Sequence, residues 1–188
     1  MKRIGAVLLA SGQGRRFGSN KLLTAVEGVP LYRRAMTTLA GAGLDRLAVC
    51  SPYQEVLHTG EELGFLPLHN PDGAEGISAS IRLGLSRMEG MDGVLFSVCD
   101  QPFLTTNSII HLKDTFKESE NAICALSWMG QQGNPVIFPA DLFGELAALT
   151  GDTGGGMVVK RHRERLLLVA ADSPRELFDV DTPADLNL

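Results

Sequence analysis

The residues best placed to do chemistry lie in the stretch Leu8-Leu9-Ala10-Ser11-Gly12-Gln13-Gly14-Arg15-Arg16-Phe17-Gly18-Ser19-Asn20-Lys21. Gly12, Gly14 and Gly18 let backbone N–H groups approach an anion, and Arg15, Arg16 and Lys21 bring three cations within seven residues. That combination suits the phosphates of a nucleoside triphosphate. Two familiar glycine motifs do not fit it. In a P-loop, Lys would follow Gly18 directly and Ser or Thr would stand at Leu22. In a dinucleotide turn, Gly14 would be followed by two residues and a third glycine, whereas Arg15-Arg16-Phe17 intervene before Gly18. The alternative is a surface loop that merely tolerates glycine and arginine.

The acidic counterpart is Asp100, in Cys99-Asp100-Gln101-Pro102 at the end of the apolar run Val94 to Val98. A carboxylate at the C-terminal end of a central parallel strand faces the crevice where open α/β sheets bind ligands, and there it can hold Mg²⁺ together with waters and phosphate oxygens. Its plainer role is a turn cap. Asp181 is a candidate second metal ligand, and Asp179, two residues earlier on an expected strand over 176–180, would share its side. Asp181-Thr182-Pro183 also reads as a helix start, with Thr182 as N-cap and Pro183 at the first helical position. Ser78 and Ser80 fall in the first turn of a helix after Gly76, beside unpaired N–H groups that could meet a nucleotide or serve only as caps. Lys160, Arg161, Arg163 and Arg165 form a second basic run, either a solvated face or a contact for an anionic second substrate.

The elements that must position these residues alternate. Ile4 to Leu9 reads as a buried strand, and Leu31, Ala35, Leu39 and Ala42 mark a helix entered at Pro30. Strands are expected at Arg46 to Cys50, Phe65 to Leu68, Val94 to Val98, Ala122 to Trp128, Pro135 to Phe138 and Leu166 to Ala170, with 129–134 as a turn-rich connection. Helices are expected at Gln54 to Leu63, from Ile77, after a Thr105 or Thr106 cap, over Leu142 to Leu149, and after Gly151-Asp152-Thr153-Gly154-Gly155-Gly156. The pattern gives one three-layer α/β/α Rossmann-like domain over 1–188 with a mostly parallel sheet. The net charge of −5 argues against a general nucleic-acid surface, so an anion must be met by local clusters. No apolar run is long enough for a bilayer. Cys50, Cys99 and Cys124, with no C-x-x-C spacing, suggest neither zinc nor disulfides, and a cytoplasmic location follows.

Taken together, Leu9 to Gly18 with Lys21, Asn70-Pro71-Asp72-Gly73-Ala74-Glu75-Gly76-Ile77-Ser78-Ala79-Ser80, Asp100-Gln101-Pro102, Gly133-Asn134-Pro135-Val136 and Asp179-Val180-Asp181-Thr182-Pro183 resemble the molybdenum cofactor cytidylyltransferase branch of the nucleotidyltransferases. The resemblance covers nearly the whole chain. It implies transfer of CMP from CTP to the phosphate of molybdopterin, release of pyrophosphate, Mg²⁺ as cofactor, and onward delivery to a molybdoenzyme or its chaperone. It implies Arg16, Lys21 and Asp100 as the catalytic set and Asp100 with Asp181 at the metal. Leu9, Ala10, Ser11, Gly12, Gly14, Arg15, Arg16, Lys21, Asn70, Gly76, Ser78 and Ser80 would line the nucleotide. Ala10-Ser11-Gly12 stands where the cytidylyl branch shows Ala-Ala-Gly and the guanylyl branch Ala-Gly-Gly. Asn134 replaces a His, Cys99 a Gly, and Gly155-Gly156 a small residue and Arg. GTP as donor, a sugar phosphate or methylerythritol phosphate as acceptor, and a non-catalytic nucleotide or cofactor carrier are the competing readings. An NAD enzyme would want an acidic residue where Ala48-Val49-Cys50-Ser51 stands.

Overall fold

The computed structural model describes residues 1–11, 20–71 and 76–186. In order the chain forms β1 (Ile4–Leu9), a 3₁₀ turn at Lys21–Leu23, the short pair β2 (Ala25–Val26) and β3 (Val29–Pro30), α1 (Leu31–Ala40), β4 (Arg46–Ser51), α2 (Gln54–Glu62) and β5 (Leu66–His69). It continues through α3 (Ile77–Leu85), β6 (Gly93–Val98), α4 (Thr106–Glu118), β7 (Ile123–Trp128), β8 (Gln131–Pro139), α5 (Phe143–Ala147), α6 (Gly156–Arg161) and β9 (Leu166–Ala170). Two further 3₁₀ helices follow, Pro174–Leu177 and Pro183–Leu186.

The main sheet runs β5-β4-β1-β6-β8-β7-β9 and is parallel except for β8. Helices cover both faces, giving the expected three-layer fold. β1 shows why its sequence is apolar throughout. Alternate residues point to opposite faces, so Ile4, Ala6 and Leu8 join α1 and α4 side chains such as Met36, Leu39, Leu112 and Phe116, while Val7 packs with Ile81 of α3 and Val158 of α6. Each fully buried Ile, Leu, Val, Met or Phe among them contributes about 1.5–3 kcal/mol. The strand order reverses at β1, with β4 on one flank and β6 on the other, so the crevice beyond the C-terminal ends of β1 and β6 is the switch point of the sheet.

Several expectations need correction. The connection 129–134 is mostly strand: β7 and β8 are joined by Met129-Gly130 alone, both at positive φ (47° and 80°), a tight hairpin turn matched to strand twist. Segment 176–180 is no strand, because Pro174 opens a 3₁₀ helix capped by the Ser173 side chain, and an extended tail follows it. The 142–149 helix is broken into a 3₁₀ turn at Ala140–Leu142 and a short α5. Thr182 stands at the N-cap position, directly before the 3₁₀ helix Pro183–Leu186, as expected. Its hydroxyl donates to Asp185, whose Oδ2 also accepts from the backbone N–H groups of Asp181 and Thr182.

Candidate nucleotide and metal site

β1 and β6 are in register through Leu9 and Val98, so Ser11 and Asp100 each lie two residues past the same rung of the sheet. Lys21 reaches this crevice from its 3₁₀ turn, which Asn20 caps by accepting from the N–H of Leu22. Lys21 Nζ donates to Asp100 Oδ2 at 3.1 Å and to Asp181 Oδ1 at 3.2 Å. Burial alone would pull the ammonium's pKa down. The two carboxylates outweigh it and hold the value above that of an ordinary lysine. Asp100 is therefore not a turn cap; its side chain faces the crevice.

The tail brings Asp181 to this point through a set of anchors that sequence reasoning missed. Glu176, 1% exposed, accepts from Thr105 N–H and Thr105 Oγ1 with one oxygen, at 3.0 and 2.9 Å, and from Asp172 N–H with the other at 2.9 Å. Val180 N–H donates to the carbonyl of Asp100 at 2.9 Å. Arg175 lies 4.1 Å above the Phe103 ring, and Val180 packs with Val26 and Leu31. On the hairpin side, Gly133 approaches Leu177 so closely that a Cβ there would stand 2.8 Å from Leu177 Cδ2. Glu176 carries no distinguishing sequence signal, standing among Asp172, Ser173, Arg175 and Asp179.

Asp179 faces the same region. Gln101 Nε2 donates to its Oδ1 at 3.0 Å, and burial together with the charge of Asp100 raises the Asp179 pKa above the usual carboxylate range. Asp100 Oδ1 is buried with no hydrogen-bond partner among the described residues. A buried, unpaired carboxylate oxygen is costly unless a cation or donor meets it, so the residues present fit a divalent metal at Asp100, with Asp181 close by across Lys21. Among the described residues no group of three His, Cys, Asp or Glu side chains could hold a metal by itself.

A second set of predicted residues forms a wall at the end of β1, β4 and β5. Asn70 Nδ2 donates to Ser80 Oγ at 2.9 Å, Ser80 Oγ donates to Ser11 Oγ at 3.1 Å, and Ser11 Oγ donates to the Cys50 carbonyl at 3.2 Å. The same carbonyl accepts from Ala10 N–H at 2.9 Å. All three side chains are buried. The chain of hydroxyls therefore locks the backbone after β1 to α3 and β5, and the proton of Ser11 is spent on the protein.

Ser78 does something else. Its hydroxyl donates to the Gly151 carbonyl at 2.8 Å and accepts from Arg82, which ties α3 to the 149–152 turn. Gly76 makes that contact sterically feasible: at φ +111°, a Cβ would lie 2.3 Å from Gly151 O. Leu9 closes β1 half-buried. Gly12, Gly14, Arg15 and Arg16 lie outside the described residues, as does 72–75. In the second basic run, Arg165 pairs with Asp141 and Arg161 with Glu145, so those two are surface ion pairs. Asn134 is exposed on β8 at the same end of the sheet, next to the buried Pro135. Burial pushes the thiols of Cys50 and Cys124 up to about 12 and about 11, and that of Cys99 higher still, which leaves none of them a nucleophile.

A family model described as the MobA-like NTP transferase domain matches residues 6–174. The chain belongs to the MobA-like NTP transferase family. Within reach of this family, it is 28% identical over 198 residues to the purine catabolism protein PucB of Bacillus subtilis, covering 97% of this chain and 93% of that one. It is 26% identical over 192 residues to a probable molybdenum cofactor guanylyltransferase of Nostoc, covering 99% and 90%. Among solved structures, Rv0371c of Mycobacterium tuberculosis in complex with manganese superposes with a TM-score of 0.81 at 25% identity, covering 99% and 97%. The MobA-like family match makes this chain a nucleotidyltransferase and agrees with the α/β/α fold. Among the described residues, no helix is long and apolar enough to cross a membrane.

Proposed function

We propose that this nucleotidyltransferase moves CMP from CTP to the terminal phosphate of molybdopterin and releases pyrophosphate. The observation that carries the reading is the meeting of Lys21, Asp100 and Asp181 at the switch point of the sheet. A phosphate monoester is mostly ionised near neutrality, its second pKa being about 6, so the acceptor oxygen needs no protein base. The absence of a reactive thiol in the crevice agrees with that. What the protein must supply is alignment for in-line attack on the α-phosphate and neutralisation of the charge that shifts to the leaving pyrophosphate.

Lys21 is the group held ready for that charge, with Arg16 and the glycines at 12 and 14 assigned to the triphosphate by the sequence resemblance. Asp100 would hold Mg²⁺, with Asp181 as its second carboxylate; the ion would neutralise phosphate charge and fix the geometry of the triphosphate. The backbone after Leu9, braced by the Asn70–Ser80–Ser11 chain, would form the wall against the base. A side chain at position 11, where a guanylyl-type sequence has glycine, leaves less room at that wall and favours the smaller pyrimidine. The relative named as a guanylyltransferase favours GTP instead.

A thermal-shift series with ATP, CTP, GTP and UTP in the presence of Mg²⁺ separates the two, because a ligand bound only by the folded state raises its apparent stability. CTP should give the largest shift. A larger shift with GTP assigns the base the other way, and no shift with any triphosphate removes the reading.

A further inference from the structure

The two edges of the main sheet are built differently. β5 carries Pro67 in mid-strand, the kind of residue that blocks addition of another strand. β9, at the opposite edge, reads Leu166-Leu167-Leu168-Val169-Ala170, with no charge, proline or glycine. Its inner side pairs with β7. Leu167 and Leu168 point to opposite faces and are 43% and 42% exposed, so both faces of this edge are apolar and incompletely covered. Natural sheets seldom leave such an edge unguarded unless something pairs with it.

We infer that β9 is an interface between two copies of this chain, pairing antiparallel with its own counterpart about a two-fold axis and extending the sheet across both molecules. The flanking charges select this arrangement. Before the strand, Glu145 and Asp141 already meet the charges of Arg161 and Arg165, and Lys160 and Arg163 outnumber Glu164; Asp172 follows it. Antiparallel pairing lays the basic start of each strand beside the acidic end of the other, with exposed Arg163 on one side and exposed Asp172 on the other. A parallel copy would bring like ends together. The antiparallel contact is also closed: the same edge is used on both copies, so pairing stops at two and does not propagate into a fibre.

The test is the molar mass of the full chain by size exclusion with light scattering, from low to high micromolar concentration. The wild type should approach twice 20.2 kDa. Leu168→Lys and Leu167→Lys should return it to 20.2 kDa with an unchanged far-UV spectrum. Arg163→Asp, on the exposed surface, should weaken the dimer, and Arg163→Asp combined with Asp172→Arg should restore it. That pair reads the interface even if a lysine variant fails to fold. A wild type that stays at 20.2 kDa throughout, or a dimer that persists undiminished in the folded lysine and Arg163→Asp variants, overturns the inference.

Discussion

The ammonium of Lys21 lies between the carboxylates of Asp100 and Asp181, within hydrogen-bond distance of both. In this state it neutralises the acidic pair that a divalent cation would use. Replacing it should therefore change metal binding and catalysis in opposite directions. Lys21→Gln should bind Mn²⁺ more tightly than the wild type in the absence of nucleotide, measured by the loss of free-ion signal in electron paramagnetic resonance. It should also lose about 10²- to 10³-fold in turnover, the usual cost of one preorganised group facing a charged transition state. Weaker Mn²⁺ binding in Lys21→Gln would show that Lys21 builds the metal site and does not compete for it.

Asp179 gives a pH-dependent signature. Its folded pKa is raised above the unfolded value near 3.8, so the folded state binds the proton more tightly and ionisation of Asp179 costs stability. That cost is absent below the unfolded pKa and fully present above the folded one. Asp179→Asn should thus gain stability relative to the wild type as pH rises through this window and keep the gain at neutrality. Asp141 and Asp185, whose pKa values are lowered chiefly by Arg165 and by the Thr182 backbone, act with the opposite sign: their stabilisation is present above about 3.8 and lost as pH falls through their lower folded values. Parallel melting curves of variant and wild type from pH 3 to 7, on the order of the carboxylate range, isolate the Asp179 part. A constant difference across that range would contradict the assignment.

Glu176 should matter to both stability and turnover although it stands apart from Asp100. Glu176→Ala removes the acceptor of three part-buried hydrogen bonds, from Thr105 N–H, Thr105 Oγ1 and Asp172 N–H, at about 0.5–1.5 kcal/mol for each bond lost. In a domain of this size each kcal/mol lowers Tm by roughly 2–4 °C. Because the tail then loses its fixed relation to the loop after β6, the turnover of protein that remains folded should fall as well. Glu176→Gln, which keeps one acceptor, should lose less in both. A large loss of Tm with wild-type kcat would make Glu176 a purely structural anchor.

The contrast between Asp181 and Glu176 shows what the sequence could and could not reveal. β1 and β9 were legible to the residue because their apolar runs end abruptly, and the cap of α4 was legible as Thr105 or Thr106 because Thr precedes a periodic helix; the structure gives the role to Thr105, whose side chain accepts from Ser108 N–H. Lys21 and Asp100 could be picked out as strand-end groups of opposite charge. Their direct pairing could not, since it depends on how the 3₁₀ turn after position 20 folds back over the sheet. The strand expected over 176–180 failed because Pro174 starts a 3₁₀ helix there, in which Glu176, a residue type seldom buried, accepts from the nearby Asp172 N–H and from the distant Thr105 N–H and hydroxyl. No local pattern encodes the contacts with Thr105. The hairpin β2–β3 was missed because its strands are two residues each, turning on Glu27 and Gly28 at positive φ.

Ser11 offers a separable test of base choice. Ser11→Ala removes the link between Ser80 and the Cys50 carbonyl, leaving one buried chain of hydrogen bonds broken, at about 1 kcal/mol. It should lower Tm without changing which triphosphate is preferred. Ser11→Gly removes the Cβ too and should raise the ratio of GTP to CTP use in kcat/KM. Identical ratios in the two variants would take position 11 out of base recognition.

The central claim is tested most directly by pyrophosphate release from the purified chain supplied with Mg²⁺, molybdopterin and each triphosphate in turn. The account predicts release with CTP that requires the acceptor and is lost in Asp100→Ala. Release that ignores molybdopterin, that survives Asp100→Ala, or that fails with every triphosphate would contradict it.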